Sequence, residues 1–94
     1  MRIKEGFVLR TVQKDHVVVG EGLAQVDFNK LLTLNSTAAF LWEKAVGRDF
    51  TIRELADALL ECYDVSEDMA LEDAAAWANT LKEQGIIEES IINN

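Results

Sequence analysis

The chain contains no proline, one cysteine, one histidine and no apolar run near the roughly 18 residues that a bilayer-spanning helix needs. Without proline, glycine and short polar residues are the only punctuation between structural elements. The lone Cys62 excludes an internal disulfide and a cysteine-based zinc site. With no basic neighbour in the sequence to activate it, it reads as a small inert side chain. His16 has no cysteine or carboxylate at metal-ligand spacing and stands beside a polar turn, so solvent exposure is expected of it and metal ligation is not. The sequence also lacks a G-x-S-x-G elbow, a phosphate-cradling glycine loop and an H-E-x-x-H zinc motif. The acidic pairs Glu67–Asp68 and Glu72–Asp73 occupy adjacent helical positions, which point in different directions and make a poor cation site. These absences predict a protein that is not an enzyme and holds no metal or cofactor. The opening MRIKEGFVLR lacks the apolar core of a secretion signal, so the expected location is cytoplasmic, with no membrane association.

What is present is ordinary for a globular protein: 94 residues, 49% hydrophobic and 28% charged, enough for one domain with a modest core. The net charge of −8 is unevenly placed. Through Arg48 there are seven Lys/Arg against five Asp/Glu; from Asp49 onward there are two against twelve. The second half, at −10, would repel a phosphate backbone, which argues against nucleic acid. An acidic helical surface serves solubility in the simplest reading. In the sharper one, a basic or apolar partner docks beside it.

The chain is organised around 31–46, LLTLNSTAAFLWEKAV, where a strand pattern becomes a helix pattern. Before it, 6–12 alternates Phe7 and Leu9 with Val8 and Arg10, and Gln13 to Asp15 turn the chain into a second strand at 16–19. A third strand is expected at 31–34, with 24–28 as a short extension or ordered loop. Asn35 and Ser36 can both accept from the free N–H groups that open a helix. Helix 1 is expected over 36–46 with Ala38, Leu41, Trp42 and Ala45 buried and Gly47 closing it in a left-handed conformation. Thr51 and Glu54 form a capping box for helix 2, whose apolar stripe reads Ile52, Leu55, Ala56, Leu59 and Tyr63. Asp64 or Ser66 caps helix 3, with Glu67 and Asp68 complementing its dipole. Its buried face reads Ala70, Leu71, Ala74, Trp77, Ala78 and Leu81, and Gly85 stops it. Ile86 and Ile87 turn back onto the core, and 90–94 form a fraying tail. Strands followed by helices predict an α+β domain, 1–89, with a three-stranded antiparallel sheet and three helices.

With no catalyst in view, the weight falls on binding. A short third strand at the sheet edge would expose unpaired N–H and C=O groups to an incoming peptide, or to a second copy of the chain as a homodimer. Helix 3 carries Trp77 with Asp73, Thr80 and Gln84 beside it. Set next to the edge strand, it would close a groove with apolar walls and an acidic lip. The alternative is a covered edge and a Trp77 that is only core.

The order of these pieces resembles the PqqD family, also known as recognition elements for ribosomally made, post-translationally modified peptides. The residues that carry the resemblance are Gly6 to Arg10, the segment Leu34-Asn35-Ser36-Thr37-Ala38-Ala39-Phe40-Leu41-Trp42, and Thr51 to Ala56 with Leu59. They continue through Tyr63 to Ser66, Asp73, Trp77, Leu81 and Gly85 to Ile87. The resemblance spans about 4–89 and implies a winged-helix-like fold without chemistry of its own. It implies binding of the leader segment of a precursor peptide and presentation of it to a modifying enzyme, often a radical S-adenosylmethionine protein. Carried onto this sequence, the peptide-binding residues are Leu31, Leu32, Thr33 and Leu34 on the strand and Asp73, Trp77, Thr80 and Leu81 on the helix. Two departures from the family pattern stand out: a long 21–30 link, and alanines at 74–76 and 78 that flatten the groove wall. The rival classes are a docking subunit of a larger enzyme and a winged-helix nucleic-acid binder, the latter opposed by a helix 3 offering only Lys82 against five acidic residues.

Overall fold

The computed structural model describes residues 1–20 and 32–89. The elements run β1 (Arg2–Ile3), β2 (Phe7–Val12), β3 (Asp15–Gly20), β4 (Leu32–Leu34), α1 (Ser36–Ala45), α2 (Ile52–Cys62), α3 (Glu67–Glu83) and β5 (Ile87–Glu88). Strands β2, β3 and β4 form an antiparallel sheet in that order, followed by three helices, so the fold is α+β as the sequence predicts. The predicted 24–28 extension, Leu31 at the start of the third strand and the 90–94 tail lie outside the described residues.

Local chemistry accounts for most boundaries. The β2–β3 hairpin closes on Val12 and Asp15 through Gln13, which takes a positive φ of 56°. Asn35 caps α1, its Oδ1 accepting from the Ala38 N–H at 2.8 Å. Thr51 and Glu54 form the reciprocal capping box of α2, each bond 3.1 Å. Of the two candidates for α3, Ser66 is the cap, accepting from the Met69 N–H at 3.2 Å. Arg53 ties the start of α3 to α2, bonding Glu67 at 2.6 Å and Asp57 at 3.1 Å. The Glu67 hydrogen bond, then the charge of Asp57, raises the Arg53 pKa further above its usual value.

Four expectations need correction. Helix α1 ends at Ala45 with Val46 as an extended cap, and Gly47 takes its positive φ of 79° one residue beyond. On α1, Ala39 is buried in place of Ala38, and both Ala38 and Leu71 of α3, expected on the buried faces, lie half-buried on the flanks. Tyr63 is the extended cap of α2 and is 37% exposed, so it leaves the apolar stripe and meets Phe40 edge-to-face on the surface. His16 is half-buried, because its side of β3 is the one that carries Val18 and faces the helices.

The core gathers Val18 and Leu34 from the sheet, Leu41, Trp42 and Ala45 from α1, Leu55, Ala56 and Leu59 from α2, and Ala70, Ala74, Trp77, Ala78 and Leu81 from α3. Phe7 and Leu9 pack against it half-buried. The alanines of α3 divide by face: Ala74 and Ala78 are buried in the core, while Ala76 is exposed. A second, two-stranded sheet pairs β1 with β5, so Ile3 and Ile87 meet in the core. Met1 extends this clasp, since its ammonium donates to the Phe50 carbonyl and its own carbonyl accepts from the Phe50 N–H at 2.8 Å.

Candidate functional site

The site is built on β4 and its unpaired side. Among the described residues β4 has β3 on one flank and no strand on the other. Which backbone groups face that open side follows from the hairpin. A two-residue turn leaves Val12 and Asp15 as a hydrogen-bonded pair, and hydrogen-bonding direction then alternates along each strand. Asp15, Val17 and Val19 therefore bond toward β2, whereas His16 and Val18 bond toward β4. Their partners across the ladder are Leu34 and Leu32. Thr33, between them, turns both its N–H and its C=O to the open edge. Leu32 and Leu34 project toward the helices, and the Thr33 side chain projects outward and is exposed.

Beyond that edge a cleft of about 430 Å³ opens between β4, the start of α1 and one face of α3. The α3 residues lining it are Asp73, Ala76, Trp77, Thr80 and Leu81, spaced by three and four as one helical face requires. Seven of the eight residues singled out in the sequence line this cleft: Leu32, Thr33, Leu34, Asp73, Trp77, Thr80 and Leu81. Leu31 lies outside the described residues. Asn35, Thr37, Ala38, Leu41 and Ala76 also line it and were not anticipated. They enter because α1 starts directly after β4, so the first turn of the helix closes one end of the cleft. The pattern of a capped helix following a strand was visible; which flank of α1 would face the cleft was not.

Trp77 is at once core and wall. It is 7% exposed, its indole N–H donates to the Ala38 carbonyl at 3.1 Å, and its ring meets Phe50 edge-to-face at 5.9 Å. That hydrogen bond ties α3 to α1 and fixes the width of the cleft. The cleft is apolar inside and polar along its lip, where Asp73 and Thr80 are exposed. Among the described residues Asp73 is the one ionisable side chain lining it. Among the described residues no group of three or more His, Cys, Asp or Glu side chains is placed to hold a metal ion. No described helix is long and apolar enough to cross a membrane.

An open strand edge running along a helix-walled apolar cleft makes this a small α+β domain with the geometry that strand addition requires. The chain belongs to the PqqD family: the family model, described as coenzyme PQQ synthesis protein D, matches residues 12–87. Two solved structures share the fold. One is a lasso peptide synthetase B1 complexed with the leader peptide, at 23% identity and a TM-score of 0.70, covering 90% of this chain and 93% of the other. The second is TbiB1 in complex with the TbiA(beta) leader peptide, at 15% identity and a TM-score of 0.75, covering 98% and 100%. None of the curated proteins matches this chain.

Proposed function

We propose that this protein is a non-catalytic adaptor that binds the leader segment of a ribosomally made precursor peptide and presents it to a modifying enzyme, such as a radical S-adenosylmethionine protein. The observation that carries the reading is the alignment of the open β4 edge with the cleft, which offers main-chain pairing at Thr33 and side-chain pockets beside Trp77 together. Family membership supports it, and both solved neighbours are complexes with leader peptides. In this reading Leu32, Thr33 and Leu34 form the receiving strand, with Leu31 extending it, and Asp73, Trp77, Thr80 and Leu81 form the helical wall. Residues 1–89 act as one module. A strand added to a short edge buries modest area, and affinity in the micromolar to nanomolar range is expected.

The test is isothermal titration with leader segments encoded beside this gene. Saturable one-to-one binding is expected, weakened at least tenfold by Thr33→Pro. That substitution removes the outward donor and leaves the β3–β4 ladder intact, because Thr33 does not bond to β3. Heat with a folded neighbouring enzyme and none with any peptide would instead identify a docking subunit.

A further inference from the structure

The cleft also constrains which peptides fit, an inference that rests on the adaptor reading. A peptide strand pairing with Thr33 places its opposing residue on the outer face of the sheet, because paired residues across a ladder project to the same side. The residues before and after it point into the cleft, two positions and roughly 7 Å apart. The α3 wall from Asp73 to Thr80 spans two helical turns, roughly 10 Å. Those two inward side chains therefore cover the wall, one toward Asp73 and the other toward Thr80 and Leu81.

The two ends differ in chemistry. At the Thr80 end, Leu81 and whichever of Leu32 and Leu34 lies beside it provide apolar surface, so a bulky apolar side chain fits there. At the other end Asp73 is exposed, and no ion pair to it forms among the described residues. Among the described residues no cation lines the cleft to attract an acidic peptide. A lysine or arginine can lay its aliphatic stem along Ala76 and Trp77 and place its charged head at Asp73. The surrounding helical half, with twelve Asp/Glu against two Lys/Arg, reinforces the same sign.

We propose that the segment recognised is a cationic–apolar strand, with Lys or Arg and a bulky apolar residue two positions apart on either side of the residue that pairs with Thr33. The test pans the immobilised full chain, and its Asp73→Lys and Asp73→Asn variants, against a display library of random dodecapeptides. Wild type should enrich peptides with Lys/Arg two positions from a bulky apolar residue. Asp73→Lys should exchange Lys/Arg for Asp/Glu at that position and keep the apolar one. An exposed pair contributes up to about fivefold in affinity, so each charge reversal should shift binding of a selected peptide two- to fivefold. Asp73→Asn should lose the charge preference without reversing it. Enriched peptides that weaken with Thr33→Pro and show no charge exchange would overturn this inference and leave the adaptor reading standing. Failure to enrich any peptide would overturn both.

Discussion

Thr33, Trp77 and Leu41 show how single residues serve fold and site together. Thr33 is ordinary in sequence, and its importance comes from its place in the ladder: the middle residue of the three in β4, on the register that turns its N–H and C=O away from β3. That parity was hidden in the sequence, because it depends on how β4 meets β3. Trp77 was visible as an aromatic on the helix stripe, but its bond to the Ala38 carbonyl was not. Trp77→Phe should lower stability by about 1–3 kcal/mol, because it leaves a carbonyl without its donor, and should loosen peptide binding as α3 and α1 separate; thermal unfolding and titration read the two. Leu41 is 2% exposed and also lines the cleft. Leu41→Ala should cost about 2–5 kcal/mol by denaturant unfolding. Glu89 illustrates a smaller effect: the hydrogen bond from Lys82 holds its carboxyl below the ordinary range. A depressed carboxyl contributes stability above its usual value of 4.5, lost as pH falls through its folded value. Glu89→Gln should therefore flatten the fall in melting temperature below that pH.

At the scale of elements, the helices were legible because their ends are chemically marked. Thr51 with Glu54, Ser66, and the positive-φ Gly47 and Gly85 each need a particular side chain or none, and the sequence supplies them. Gly85, at φ 76°, has open space where a Cβ would go, so the backbone alone resists substitution. Gly85→Ala should cost about 1–2 kcal/mol, measured by denaturant unfolding, with Thr51→Ala costing about 1 kcal/mol for the lost cap. The strands were less legible. β1 and β5 are two residues each and pair across almost the whole chain, so neither has a periodicity to detect. Ile86 and Ile87 were expected on the core, but the partner that holds them there, Ile3, was not.

At the scale of the molecule, charge separates the candidate partners. In a chain at −8, the acidic half that carries α2 and α3 would repel a duplex rather than release its counterions. Fluorescence anisotropy at low salt should show no binding to a random duplex; salt-sensitive binding would revive the nucleic-acid reading. A basic peptide should by contrast bind more weakly as salt rises, because its attraction to the acidic half is screened over about a Debye length. The β1–β5 clasp pairs an early segment with a late one and supplies no residue to the cleft lining, so Ile3→Ala should lower stability and leave the affinity of the folded protein for peptide unchanged.

Amide hydrogen exchange at β4, with and without a peptide identified by titration, tests the central claim most directly. The account predicts that Thr33 exchanges freely in the unliganded protein and becomes protected on binding, while Leu32 and Leu34, already bonded toward β3, change little. A saturated complex in which the Thr33 amide still exchanges freely would contradict strand addition at this edge.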